Sequence, residues 1–372
     1  MPPACSVRIL AVNAGSSSLK LSVVDDDRLC GAQELSAPGA KVDPELVASV
    51  VRALGRVDAV GHRIVHGGAR YTGPVRIDDV VVAALEGLSD LAPLHQAKSL
   101  AALEAVSNAL PECPAVACFD TAFHATLPPA ASTYALPRIW REGWGLRRFG
   151  FHGLSHAYAA RRAAEMLERS PEELRIVTCH LGAGASLAAV QFGYSVDTTM
   201  GFTPLEGLAM ATRSGSVDPG LLLWILEHKK LDEQQIAHAL EHESGMLGLA
   251  GTADMREIVD RAAAGNADAS LALGVYLHRL RAGIAAMAAA MNGVDVVVWT
   301  GGVGEHAPTI RAATTEALAF LGLAIDGDKN ATATEDLDLT GDGATVRTLV
   351  VHAREDLEIC RGVNQALHLQ GA

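Results

Sequence analysis

The chain has 372 residues, more than one hydrophobic core usually serves, so two domains are expected. Hydrophobic residues make up 49%, ample for a packed interior, while aromatics are only 4%. The formal net charge of −13 argues against a nucleic-acid partner but leaves room for a local basic pocket that takes an anion.

In chain order, the start MPPACSVRIL lacks the basic and apolar regions of a signal peptide. Apolar strand-length runs then alternate with helical segments, the pattern of an α/β protein. Strands are expected at 8–12, 20–24, 59–65, 115–119, 176–180, 186–190, 294–300 and 345–351. Helices are expected at 44–54, 96–110, 155–168, 219–227, 267–291 and 309–321, with Ser155 as a cap and Pro308 just ahead of the last. Residues 326–343, acidic and Thr-rich, read as a surface loop. The longest apolar patch, residues 282–291, is too short to span a bilayer, so a cytoplasmic protein with no membrane contact is expected. Six cysteines form no CxxC pair, which fits reduced thiols.

Two stretches echo each other. VNAGSSSLKLSVV near the start and CHLGAGASLAAV at 179–190 each read as strand, small-residue turn and strand. One such hairpin per half suggests a duplicated architecture, although two Gly-turn hairpins can also match by chance. A third glycine-dense stretch, WTGGVGEHAP, follows an apolar run and leads into a helix, a setting in which backbone N–H groups can approach phosphate. It fits neither GxGxxG nor GxxxxGK[ST].

Several charged residues stand among apolar or glycine neighbours. Arg63 lies within an apparent strand and Asp120 at the end of another. A charge in such a place lines a cleft or pairs with a partner, since desolvating it alone is costly. His152 and His156 have the i,i+4 spacing of some metal-binding helices, but HGLSH lacks the Glu of HExxH and contains a glycine, which favours a hydrogen-bonding role for His152 over zinc. No GxSxG elbow supports a serine hydrolase.

Together, NAGSSSLK, GHRIVHGG, LAPLH, FDTAFHATLP, GFHGLSH, HLGAGAS, SVDTTMGFTPLEGL, TRSGSVDPG, SGMLGL and GGVGE resemble the acetate/propionate kinase family, in order from Ile9 to Asp356. That family belongs to the actin-like ATPase superfamily. The resemblance implies an α/β fold of duplicated ribonuclease-H-like domains with an interdomain active-site cleft. It implies a first domain of residues 1–124 plus a returning C-terminal helix in 355–372, and a second of 125–354 with the nucleotide side and dimer interface. The implied reaction is reversible, Mg²⁺-dependent (or Mn²⁺-dependent) phosphoryl transfer from ATP to acetate, giving acetyl phosphate and ADP, in a homodimer.

The resemblance assigns residues one by one. Arg63 and Arg213 hold the carboxylate and the moving phosphoryl, His152 donates to its equatorial oxygens, and Asp120 aligns the reacting groups. Val65, Leu94, Phe151 and Pro204 form the pocket for the methyl group. Asn13, Ser16, Ser18 and Lys20 match the first phosphate motif, and His180, Gly182, Ala183 and Gly184 the second. Asp254, Arg256, Gly302, Val303, Gly304 and His306 fall on the nucleotide side, and Asn13 with Glu355 on the metal.

The match breaks at Ala183, where the family usually has Asn, and at His306, again in place of Asn. Ser216, Gln96 and Tyr194 also depart from the common pattern. Both main departures lie on the donor side, which opens GTP or pyrophosphate as alternative donors. Propionate or another short-chain acid is the alternative acceptor, since one methylene is worth only about 1–3 kcal/mol in such a pocket. A catalytically silent nucleotide-binding regulator is the reading from another class.

Overall fold

The computed structural model describes residues 7–15, 18–36, 43–88 and 93–368, without the side chains of 93–95. Ser16 lies outside the described residues. The chain opens with an antiparallel meander of β1 (Arg8–Ala14), β2 (Ser18–Asp25) and β3 (Arg28–Ser36). Asp43 then caps α1 (Pro44–Leu54), accepting from the amides of Glu45 and Leu46, and Gly55 at φ 87° ends it. β4 (Ala59–Ile64), β5 (Val75–Arg76), α2 (Asp79–Glu86), α3 (Pro93–Ala109) and β6 (Ala115–Phe119) follow. The sheet order is β3-β2-β1-β4-β6-β5, with β1, β4 and β6 parallel.

Next come α4 (Pro129–Ser132), α5 (Arg138–Trp144) and α6 (Gly153–Met166). A second meander, β7 (Arg175–Leu181), β8 (Ala185–Gln191) and β9 (Tyr194–Thr198), precedes α7 (Pro219–His228) and α8 (Glu233–His238). A π-helical turn, Ala239–Glu243, leads to α9 (Gly245–Ala250), α10 (Met255–Ala263) and the long α11 (Ala267–Ala290). β10 (Val296–Thr300), α12 (Gly301–His306), α13 (Pro308–Ala317), α14 (Gly327–Thr332), β11 (Leu337–Asp338), β12 (Arg347–Val350) and α15 (Glu355–Leu367) complete the chain. The second sheet runs β11-β12-β10-β7-β8-β9, with β7, β10 and β12 parallel. Each sheet thus joins a three-stranded antiparallel meander to two further parallel strands and a short antiparallel edge strand, so the hairpin echo in the sequence reflects a duplicated α/β fold.

Contacts divide the chain into two compact units, one of Met1–Ala125, Phe151–Tyr158 and Arg354–Ala372, the other of Thr126–Gly150 and Ala159–Ala353. In the first, period-two alternation along β1 serves both faces of the sheet. Leu10 and Val12 join Val47 and Val51 of α1 and Ala102 and Val106 of α3, while Ile9 and Ala11 join Ile359, Cys360 and Val363 of α15. The segment Phe151–Tyr158 belongs here because Gly153 N–H donates to the Asp120 carbonyl at 2.9 Å and Leu154 packs with Val116 and Ile359. In the second unit all five residues of β10 are buried, and α11 packs against β7, β8 and β9.

Three local expectations need correction. Ser155 does not cap a helix but lies buried inside α6, which starts at Gly153. The glycine-dense stretch after β10 is itself helical, as α12. Residues 326–343 are not simply loop: they contain α14 and β11, and bury Asn330 and Leu339. The five described cysteines, Cys30, Cys113, Cys118, Cys179 and Cys360, are free thiols. Among the described residues no helix is long and apolar enough to cross a membrane.

Candidate active site

In the first unit, the ends of β1, β4 and β6 and the start of α15 bring four site candidates together. Arg63, the fifth residue of β4, meets Asp120, which follows β6, in a two-pronged ion pair: Nε to Oδ1 at 2.9 Å and Nη2 to Oδ2 at 2.6 Å. Its Nη1 donates to Asn13 Oδ1 at 2.9 Å and lies 3.8 Å from Glu355 Oε2. Asn13 Nδ2 donates to that same Glu355 oxygen at 2.5 Å. Burial works against the Arg63 charge, but Asp120 and Glu355 outweigh it and raise the guanidinium's pKa, so it stays cationic. Parallel strands end side by side, and polar residues at or just past their ends cluster where the next loops begin. That is why residues 57 and 342 positions apart in sequence can meet.

His152 lies on the same unit in the left-handed region, at φ 57°, between buried Phe151 and the α6 start at Gly153. A side chain at Gly153 is impossible without rearrangement, since its Cβ would fall 2.1 Å from the Asp120 carbonyl oxygen. One glycine therefore fixes the distance between the backbone of Asp120 and the His152 turn. Among the expected methyl-pocket residues, Val65 is buried just past β4, and Phe151 is buried with its ring edge-on to His66 at 5.5 Å. The side chain of Leu94 lies outside the described residues. Gln96 is buried and spans from the amide and carbonyl of His66 to the Leu85 carbonyl. Ser18 opens β2, and Lys20 is exposed in register with Asn13.

Three buried histidines of this unit, His62, His66 and His124, are held neutral. Burial lowers each to about 4, and for His124 this outweighs the bond from its Nε2 to the Phe151 carbonyl.

The second unit carries a pocket of about 490 Å³. Gly182 and Ala183 from the β7–β8 turn, Asp254 and Arg256 at the α10 start, and Gly302, Val303 and His306 of α12 all line it. Gly182 N–H bonds back to the Gly184 carbonyl at 2.9 Å, closing the turn, and the His180 ring stands beside Gly182. Gly304 faces inward, against Trp299 and Cys179. Asp254 caps α10 and forms a surface ion pair with Arg256. The sequence did not single out Ala211, Met246, Ala253, Met255, Tyr276 or Ala307 on this wall.

Arg213 is positioned by backbone. The amides of Met210 and Ser214 bond to the carbonyls of Arg213 and Leu240, and Ser244 N–H bonds to the Thr212 carbonyl. Thr212 Oγ1 donates to Glu241 O at 2.8 Å, so the π-helical turn supplies the carbonyls that grip this loop. Arg213 Nη1 donates to the Pro204 carbonyl at 3.2 Å. The loop bearing Pro204 is itself held by Arg148, which donates to the Thr198, Thr199 and Met200 carbonyls and to Glu206. Burial lowers the Arg213 pKa, and Glu241 opposes the shift. Ser216 accepts from Gly207 N–H, a loop-holding role, and Tyr194 is exposed.

Residues 40–361 match the model of the acetokinase family. The acetate kinase of Gloeobacter violaceus is 49% identical over 307 residues, covering 82% of this chain and 76% of the relative. Among solved structures, the acetate kinase of Porphyromonas gingivalis superposes with a TM-score of 0.88 at 34% identity, covering 97% of this chain and all of that one. A propionate kinase of Francisella tularensis gives 0.88 at 32%, covering 96% and 98%. The chain therefore belongs to the acetokinase family, phosphotransferases whose acceptor is a carboxyl group.

Proposed function

We propose that the chain transfers the γ-phosphoryl group of ATP to acetate, reversibly, giving acetyl phosphate and ADP. The observation that carries this reading is Arg63, a guanidinium locked by Asp120 and shared with Asn13 and Glu355. Acetate is already ionised at neutral pH, so no strong general base is required. Instead the site must bring two anions together and cancel their charge. A carboxylate oxygen attacks the γ-phosphorus, and the bond from that phosphorus to the bridging oxygen of ADP breaks. We assign Arg63 and Arg213 to the carboxylate and the moving phosphoryl, since guanidinium keeps its charge and can bind oxygens in pairs. His152 donates to the equatorial oxygens, and Asp120 holds Arg63 in line.

The oxygen donors of Glu355 and Asn13 suit Mg²⁺, a hard cation that takes few carboxylates and keeps phosphate and water ligands. When bound, Mg²⁺ neutralises charge on the phosphates. The 490 Å³ pocket of the second unit is assigned to the nucleoside, with the β7–β8 turn and α12 toward the phosphates. Val65, Phe151 and Pro204 are assigned to the methyl group.

A hydroxamate assay for acetyl phosphate, with Arg213→Ala as control, tests the reading. Product from the parent and at least about a hundredfold loss in the variant is expected, and no product from the parent refutes it. A second acceptor, propionate, has support from the 32% identical propionate kinase structure; a chain-length series of carboxylates ranks the two. Rates with GTP and pyrophosphate at fixed acetate test the donor. A homodimer is also proposed, since α7 exposes Leu221, Leu223, Trp224 and Leu226 along one short helix. A sedimenting monomer at micromolar concentration would refute it.

A further inference from the structure

Glu305, on α12, carries no role in the reaction above. Its side chain is nearly buried, 11% exposed, on the helix whose Gly302, Val303 and His306 line the pocket. A carboxylate with so little exposure is costly to desolvate unless its oxygens find donors, so its presence needs a structural reason. The reason is visible in its partners. Glu305 Oε1 accepts two backbone amides, Gly301 N–H at 2.8 Å and Ala353 N–H at 3.0 Å. The first fixes the start of α12, where Gly301 sits at φ 76° with no room for a Cβ against Leu181. The second ties that turn to a backbone far away in sequence, two residues before Glu355.

The other end of α12 is held as firmly. Buried Arg311 donates through Nη1 to the Gly304 and Glu305 carbonyls, at 2.8 and 2.7 Å. Its Nε and Nη2 go to Asn330 Oδ1 and O, both at 2.7 Å. A six-residue helix with three glycines has little intrinsic stability. Charged side chains at both ends supply the rigidity that its own sequence lacks.

We propose that Glu305 is a positioning residue, whose carboxylate clamps the pocket-lining α12 to the chain at Ala353 and so sets nucleotide affinity. The proposal rests on the assignment of the pocket to a nucleotide. The carboxylate acts through Oε1 as an acceptor, and its charge is not required. An amide oxygen in the same place can accept the same two bonds, whereas a methyl cannot.

The test compares Glu305→Gln with Glu305→Ala. Glu305→Ala is expected to raise the KM for ATP about tenfold, for two lost backbone hydrogen bonds, with the KM for acetate within about twofold of the parent. Glu305→Gln is expected to restore the KM for ATP to within about threefold of the parent. Should Glu305→Ala not fold, Glu305→Asp, too short to reach both amides, takes its place. Amide exchange of the substrate-free protein gives a readout independent of activity. Gly301 and Ala353 N–H should be protected in the parent and in Glu305→Gln, and exchange at least about tenfold faster in Glu305→Ala. Unchanged exchange in Glu305→Ala, or an unchanged KM for ATP in an active Glu305→Ala, overturns the proposal. So does a Gln variant as impaired as Ala, since the charge itself would then be what matters. If the parent makes no acetyl phosphate, the kinase reading fails, and the exchange experiment still decides the clamp.

Discussion

The guanidinium of Arg63 and the carboxylate of Asp120 meet edge to edge through two parallel hydrogen bonds, with Asp120 almost wholly buried. Such a pair, once desolvated, is costly to break by halves, because the remaining partner is left buried and charged.

A double-mutant cycle in urea is therefore expected to show strong coupling. Asp120→Ala alone should destabilise the chain by about 3–5 kcal/mol, and so should Arg63→Ala, while the double variant should lose clearly less than their sum. All three variants should have lost phosphoryl transfer. Additive losses would contradict the pairing.

Gly153→Ala is expected to be severe although it removes nothing. The added methyl would fall on the Asp120 carbonyl oxygen and lie 2.9 Å from Phe123 Cβ. A loss of about 2 kcal/mol or more is expected by denaturation, with the acetate KM or kcat impaired even where the protein folds. A variant as stable and active as the parent would show that the His152 turn tolerates displacement.

Acid sensitivity has a definite window. His62, His66 and His124 titrate near 6.5 when unfolded and near 4 when folded, so between those values the unfolded chain binds more protons. Their stabilising effect is complete above pH 6.5 and is lost as pH falls towards and below 4. Each ring contributes on the order of 3 kcal/mol across that window. Among the described residues, His62 has no hydrogen-bond partner at either ring nitrogen. His62→Leu is thus expected to flatten the fall in Tm between pH 6.5 and 4.5, and an unchanged slope would exclude His62 as a contributor.

Ala183 is exposed and lines the pocket proposed for the nucleotide, and its carbonyl accepts from Ala211 N–H. Ala183→Asn would add an amide donor without disturbing that backbone bond. The KM for ATP should fall by about three- to tenfold. A rise would show that the wall is adapted to the smaller residue.

Legibility in the sequence followed burial. β1, β7 and β10 announced themselves because they are buried on both faces and so carry apolar runs. β3 gave no such signal, since its residues are mostly exposed and its pairing to β2 comes from the backbone. α14 was hidden by acidic and threonine residues, and Asn330 is buried there for Arg311 rather than for any apolar pattern. Arg63 and Asp120 stood out individually as charges in apolar settings, but only the adjacency of β4 and β6 makes them partners. Glu305 could not be read at all: its function lies in two amide contacts, one of them to Ala353.

The first unit includes Arg354–Ala372, and α15 supplies Ile359, Cys360 and Val363 to the face of its sheet opposite α1 and α3. As the ribosome adds residues one at a time, the earlier strands must wait for α15 before that face is covered. The second unit, made later from residues that include Ala159–Ala353, has its strands complete before α15 leaves the exit tunnel. The half that is begun first is therefore the half that is finished last.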